Sequence, residues 1–274
     1  MVRRLLALFF ASVSVAPTVS AQTTGPADSA HVAKTLFTWR DAVLAGGFVG
    51  LTIGMFPLDE STARELRDST SQASRTLKNG SRVVQTIADP GTIVIGVGLY
   101  GVGRIAHWRT VQDLGLHGTE AVVVSGAATA LLKGVLGRAR PEIVGDSVPN
   151  SFGFGRGFSR GNGYMSFPSG HTTAAFAAAS VVTSEAQRVW PHHSWLVAPV
   201  MYGGATLVGF SRMYNNKHWA SDVALGAAIG TFSGIKVVRY SHAHPNNFID
   251  RWLLGAQVTA APNGDAAVGW HLER

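Results

Sequence analysis

Residues 168–180 read PSGHTTAAFAAAS, a Pro-Ser-Gly-His turn that runs directly into an apolar stretch. The stretch continues to about residue 184, too long for a typical strand and without the period-two alternation of a half-buried one. It predicts a helix that starts at the turn, with Ser169 as N-cap and the free N–H groups of the first turn pointing outward. Five more segments have the same character, at about 42–57, 91–107, 118–136, 196–211 and 221–236. Together they predict an all-α protein, a six-helix bundle.

Composition points to a membrane. Charged residues are 14% of the 274, and glycine supplies 32, against roughly 25% and about 7% in ordinary soluble domains. Gly46, Gly50 and Gly54 share one face of the first apolar segment, as Gly226, Gly230 and Gly234 do in the last. Such stripes let helix backbones approach closely in lipid. Close packing in a soluble bundle is the alternative. The run Gly96-Val-Gly98-Leu-Tyr-Gly101 matches a nucleotide-binding pattern, but no strand–helix–strand unit surrounds it. It is read as helix packing. The net charge of +7 suits an anionic ligand or anionic lipid. No dense basic cluster interleaved with aromatics suggests nucleic acid. The absence of cysteine excludes disulfides, thiolate metal ligands and a cysteine nucleophile.

The N-terminus has the three-part layout of an export signal: Arg3 and Arg4, an apolar run from Leu5 to Val15, then Val19-Ser20-Ala21 before Gln22. An uncleaved anchor is the alternative. The expected organisation is a signal peptide over 1–21, an N-terminal helical region over 22–90, a helical core over 91–240 and a tail over 241–274. Within 59–89, Thr62 and Glu65 have the spacing of a capping box that opens an amphipathic helix. Residues 142–166, with six glycines, read as a long loop. In the tail, Asn263-Gly264 marks a small hairpin.

Three polar clusters interrupt the apolar chain. Lys133 and Arg140, followed by Pro141, are seven residues apart, so both can project from one helix face. Pro141 puts Arg140 at the helix boundary. Two cations there suit a multiply charged anion, although basic residues also commonly flank membrane helices. The opening turn forms the second cluster. Its helix N-terminus binds phosphate through backbone N–H groups, Gly170 lets the backbone come close, and His171 titrates near neutrality as a proton donor. A turn that merely caps a helix is the alternative. The third cluster is SRMYNNKHWASD, residues 211–222. His218 and Asp222 are i, i+4, so on a helix the carboxylate orients the ring and leaves its other nitrogen as a nucleophile. Arg212 offers a fork of donors to phosphate. The clusters fall at the end of the third apolar segment, the start of the fourth, the end of the fifth and the start of the sixth. In an up-down bundle those ends share one side.

The pattern K-x6-RP, PSGH, SR-x5-H-x3-D, spanning residues 133–222, resembles the type 2 phosphatidic acid phosphatase and vanadium haloperoxidase superfamily. The resemblance implies that His218 attacks phosphorus and forms a phosphohistidine, with Asp222 orienting it. His171 would protonate the leaving oxygen and later activate water. Lys133, Arg140, Arg212, Ser169 and Gly170 would hold the phosphate oxygens. It implies neither metal nor other cofactor. The expectation is a membrane-embedded phosphatase of a phosphorylated lipid, such as phosphatidate or an isoprenyl pyrophosphate, with its site facing the periplasm. A soluble periplasmic acid phosphatase acting on small phosphoesters, a vanadate-dependent haloperoxidase and a non-enzymatic lipid-binding protein are the alternatives.

Overall fold

Each of the six apolar segments falls on a helix, although the segments at 42–57 and 91–107 run two residues past the helix end. The structure is a computed structural model describing residues 37–88, 90–245 and 247–250 and the strands 256–260 and 266–270. The chain runs α1 (Trp39–Met55), α2 (Asp59–Arg67), α3 (Ser69–Ala73), α4 (Arg75–Ala88), α5 (Gly91–Ile105) and α6 (Arg109–Leu136). The short α7 (Pro141–Val144) and α8 (Arg156–Arg160) follow, then α9 (Gly170–Val189), α10 (Ser194–Tyr214) and α11 (Ala220–Ala243). A hairpin of β1 (Ala256–Ala260) and β2 (Ala266–Trp270) pairs Ala260 with Ala266 at its inner end. The pairing is centred on residue 263, so a hairpin forms around the expected Asn263-Gly264, although its register is not that of a two-residue turn there; those two residues lie outside the described ones. The leader expected over 1–21 also lies outside them.

Helix α9 is the hub and packs against α6, α10 and α11. Ala175, Phe176 and Ala179 meet Ala205 and Val208 of α10, while Ala177 and Val181 meet Ala121 and Val122 of α6 and Val238 of α11. Mostly alanine and glycine fill these contacts, so the backbones lie close. A Cβ on Gly230 would stand 2.2 Å from the Thr173 carbonyl oxygen, and one on Gly226 2.6 Å from that of Ser169. Gly230→Ala should therefore destabilise the protein by about 1–3 kcal/mol, the usual cost of overpacking. Thermal unfolding in detergent measures this, and an unchanged midpoint would contradict the close packing. The first stripe behaves differently: a Cβ on Gly46, Gly50 or Gly54 would meet nothing within 4 Å. It is not a helix-packing face among the described residues. Gly96 and Gly103 do pack, against Thr119 and Gln112 of α6, whereas Gly98 and Gly101 face open space.

Two further expectations are corrected. Helix α2 starts at Asp59, so Thr62 and Glu65 lie inside it and form no capping box. Helix α6 stops at Leu136, because Gly137 adopts the left-handed conformation (φ 51°) and closes the helix on the Lys133 carbonyl. Lys133 and Arg140 therefore do not share a helix face. The loop predicted over 142–166 is mostly irregular but holds most of α7, all of α8 and one 3-10 turn, Asn162–Tyr164.

Among the described residues, three helical runs are long and apolar enough to cross a membrane: Trp39–Arg67, Arg109–Val144 and Ala220–Ala243. Their surroundings agree, since large apolar side chains such as Val94, Val124 and Val200 point outward. Such an exterior suits acyl chains better than water. An apolar cleft of about 320 Å³ opens among α4, α5, α9 and α10. Among the described residues no charged side chain lines it, which separates it from the polar clusters. Helix α1 is tied to α11 by a buried Asp41, which caps its own helix by accepting from the Thr38 N–H (2.7 Å) and receives Lys236 Nζ at 2.5 Å.

Candidate active site

The three polar clusters meet at one end of the bundle, where α6 and α10 finish and α9 and α11 begin. Backbone and side-chain bonds join them directly. The Ser169 N–H donates to the Asp222 carbonyl (2.9 Å), and the Ser166 N–H to that of Arg138 (3.0 Å). Trp219, almost wholly buried, donates its indole N–H to the Ala139 carbonyl (2.9 Å).

Lys133 and Arg140 converge through the turn at Gly137, because both grip the segment that leads into Pro168. Lys133 Nζ donates to the Met165 carbonyl (2.6 Å). Arg140 donates Nε to the Asn162 carbonyl (2.8 Å) and a terminal nitrogen to Asn162 Oδ1 (2.7 Å). As Pro141 dictates, Arg140 is extended (ψ 153°). Ser169 caps α9 by position, but its hydroxyl pairs with Thr172 Oγ1 (2.8 Å) rather than a backbone N–H. Gly170 opens the helix beside the Lys133 stem; a Cβ there would lie 3.7 Å from Lys133 Cε. His171 is half-buried in the first turn, and Arg212 is buried in the last turn of α10. The cations Lys133 and Arg140 act electrostatically on His218, and Arg212 acts on Lys133.

The third cluster differs from its expected geometry in an informative way. His218 precedes α11, with Trp219 as N-cap and Asp222 at the third position, so the pair does not sit on consecutive helical turns. Asp222 Oδ2 accepts from the Trp219 N–H at 2.8 Å. His218 Nδ1 lies 2.8 Å from the Ser166 carbonyl and 3.4 Å from Asp222 Oδ2. A carbonyl can only accept, so Nδ1 carries the proton and Nε2 keeps its lone pair. The backbone thus fixes the tautomer, and Asp222 adds negative charge behind it. Burial outweighs the carboxylate and holds the His218 imidazole well below 6.5.

Asp222 itself is held by residues that pattern reading did not single out. Arg138 is fully buried and donates to Asp222 Oδ1 (2.6 Å), Asp59 Oδ2 (2.6 Å), Ser221 Oγ (2.7 Å) and the Pro149 carbonyl (2.8 Å). Ser166 Oγ donates to Asp222 Oδ2 at 2.5 Å. Asp59 accepts from both the N–H (2.8 Å) and the hydroxyl (2.6 Å) of Ser221. Four rings, of Phe56, Phe152, Phe167 and Trp219, surround the guanidinium at 4.9–5.6 Å. The one local signal was a third cation inside the GRAR segment before Pro141; nothing local marked Asp59, 79 residues before Arg138. Of the loop phenylalanines, Phe152 belongs to this cage, whereas Phe154 is 92% exposed.

The chain is 45% identical over 83 residues to the lipid A 1-phosphatase of Porphyromonas gingivalis, a match covering 30% of this chain and 18% of that one. It is 28% identical over 176 residues to lipid phosphate phosphatase 1 of Arabidopsis thaliana, covering 53% of each. The chain thus spans about half, or less, of the length of these curated relatives. Its fold is shared with the crystal structure of a transmembrane PAP2 type phosphatidylglycerolphosphate phosphatase from Bacillus subtilis. There the TM-score is 0.53 at 21% identity, over 75% of this chain and 97% of that one. Residues 116–245, which contain all three clusters, match the model of the PAP2 superfamily.

Proposed function

We propose that the protein is a phosphatase that removes phosphate from a lipid through a phosphohistidine. The observation that carries the reading is the fixed tautomer of His218: Nδ1–H is committed to the Ser166 carbonyl, and Nε2 keeps a lone pair near Lys133 and Arg140. In the first step the Nε2 lone pair forms a bond to phosphorus while the bond to the leaving oxygen breaks, and His171 gives that oxygen a proton. In the second, His171 takes a proton from water, whose oxygen displaces Nε2 and releases inorganic phosphate. Lys133, Arg140, Arg212 and the start of α9 at Ser169 and Gly170 hold the phosphoryl oxygens and offset the charge that builds on them.

A lipid substrate is supported by the apolar exterior of the helices, which lets it reach the site from the bilayer, and by relatives named for lipid A and lipid phosphates. The export-type leader supports a site on the periplasmic side. A cysteine introduced at exposed position 159 and labelled in intact cells by an impermeant reagent tests that placement; labelling only after lysis would contradict it.

The activity is tested by phosphate release in detergent from phosphatidate, isoprenyl pyrophosphates and soluble esters. Release from a lipid well above that from soluble esters is expected, and no release from any of them would overturn the reading. Because burial lowers the His218 pKa, the neutral nucleophile persists as pH falls through 6.5. The acid limb of kcat/KM should therefore lie below that value.

A further inference from the structure

The opposite end of the bundle carries a second cluster, which the phosphate chemistry does not use. His117 lies near the start of α6, Glu185 near the end of α9 and His242 at the end of α11. Along α6, His117 is sixteen residues from Lys133, or about 24 Å at 1.5 Å per residue. His117 Nδ1 is 2.7 Å from Glu185 Oε1, and His242 Nε2 is 2.9 Å and 3.0 Å from the two Glu185 oxygens. The two imidazoles meet edge to face, with centroids 5.2 Å apart, and one ligand atom from each residue lies within 4.8 Å of the others. His117 and Glu185 are buried, while His242 stands at the rim and leaves one side open.

Two imidazoles bonded to one carboxylate would make a self-contained group if nothing else were near. Three more carboxylates surround it: Asp113 and Glu120 from α6 and Asp250 from the segment after α11, each acting electrostatically on the group or on its neighbours. Asp250 is 3% exposed; its Oδ2 is held by Asn247 (2.6 Å), but its Oδ1 is buried and has no hydrogen-bond partner among the described residues. Glu120 Oε1 is likewise buried without one, one helical turn from His117. Buried carboxylate oxygens left unpaired are costly. Among the described residues, four carboxyl groups therefore gather around two histidines, and two of their buried oxygens have no donor.

We propose that His117, Glu185 and His242 bind a divalent transition-metal ion of the zinc class, with Glu120 and Asp250 as the surrounding carboxylates that offset its charge. The ligand chemistry fits: imidazole nitrogen and carboxylate oxygen bind zinc at about 2.0–2.2 Å, and three protein ligands with one open side is a familiar arrangement for that ion. Ligand atoms around a tetrahedral ion of this size stand roughly 3.3 Å apart, so the nitrogen–oxygen spacings of 2.7–3.0 Å must open by about 0.3–0.6 Å, and the two imidazole nitrogens already lie within 4.8 Å of each other. The ion would staple the ends of α6, α9 and α11, the three helices whose other ends build the phosphate site. It holds the frame from a distance and takes no part in the reaction.

The test uses the full-length protein without a polyhistidine tag, stripped with chelator and titrated in detergent with Zn2+. One equivalent should bind, and saturation should raise the unfolding midpoint by about 5 °C or more. Co2+ in place of Zn2+ should give the visible absorption of a low-coordinate site. His242→Gln, at the rim where the fold tolerates change, should weaken binding by about 100-fold or more, since even indirect partners of a metal ligand contribute 10–100-fold. Glu185→Gln should do the same. Absence of Zn2+ binding to the stripped protein would overturn the proposal. So would binding that is undiminished in both variants, which would place the ion on surface histidines instead.

Discussion

His218→Ala should lower kcat for phosphate release by at least about 10⁴-fold, the scale on which removal of an activated nucleophile is felt in enzymes that work through a covalent intermediate. The expectation follows from the two ends of the ring. At one end, Nδ1–H is committed to the Ser166 carbonyl at 2.8 Å with Asp222 behind it. At the other, Nε2 keeps its lone pair because burial disfavours the imidazolium. Alanine leaves the cations in place, so substrate should still bind while the step that breaks the phosphorus–oxygen bond is lost. The measurement is single-turnover phosphate release together with the KM of the residual activity. His171→Ala distinguishes the two histidines. With a substrate whose leaving group needs no proton, it should still form the phosphoenzyme, which then accumulates as an acid-labile phosphoramidate. Turnover within tenfold of wild type in His218→Ala would sink the mechanism, whatever the behaviour of His171→Ala.

Arg138→Met should cost about 3–5 kcal/mol, the penalty for breaking a buried ion pair from one side. Its guanidinium is the positive charge bonded to both Asp59 and Asp222, each fully buried, and its forked donors reach both carboxylates at 2.6 Å. Methionine fills much of the volume but leaves two carboxylates facing each other in a cage of aromatic rings. Lysine keeps the charge without the fork, so it can serve only one carboxylate at a time. Arg138→Lys should fold better than Arg138→Met yet lose turnover, because Asp222 would no longer be fixed behind His218. The check is the unfolding midpoint in detergent of Arg138→Met and Asp59→Asn, alone and combined. Asp59→Asn should recover part of the loss, giving a coupling that contact through one network requires. A midpoint for Arg138→Met within a degree of wild type would show that the network does not hold this end of the bundle.

These two variants differ in how far sequence anticipates them. His218 was legible because its neighbours within four residues already suggest oriented-nucleophile chemistry, and because the order of the three clusters places them at matching helix ends. Arg138 was not. Its partners Asp59 and Ser221 are 79 and 83 residues away, and a buried triad leaves no periodic trace. The same holds for His117, Glu185 and His242, which come from three helices and share no spacing. The two glycine stripes show the limit from the other side. They look alike as i, i+4 patterns, yet Gly226, Gly230 and Gly234 lie against α9 while Gly46, Gly50 and Gly54 touch nothing described.

What the sequence by itself determined is what depends on near neighbours: helices from uniform apolar runs, Arg140 turned out of helix by Pro141, and Ser169 at the head of α9. Tertiary structure alone decided how they face one another. Lys133 and Arg140 meet because Gly137 ends α6 and both side chains reach the loop at 162–165, not because of their separation along a helix. The His218 tautomer is set mainly by a carbonyl fifty-two residues away, with Asp222 in second place. Backbone propensity acts over a few residues and can be read in order; a buried charge takes whichever partner the packed helices bring to it.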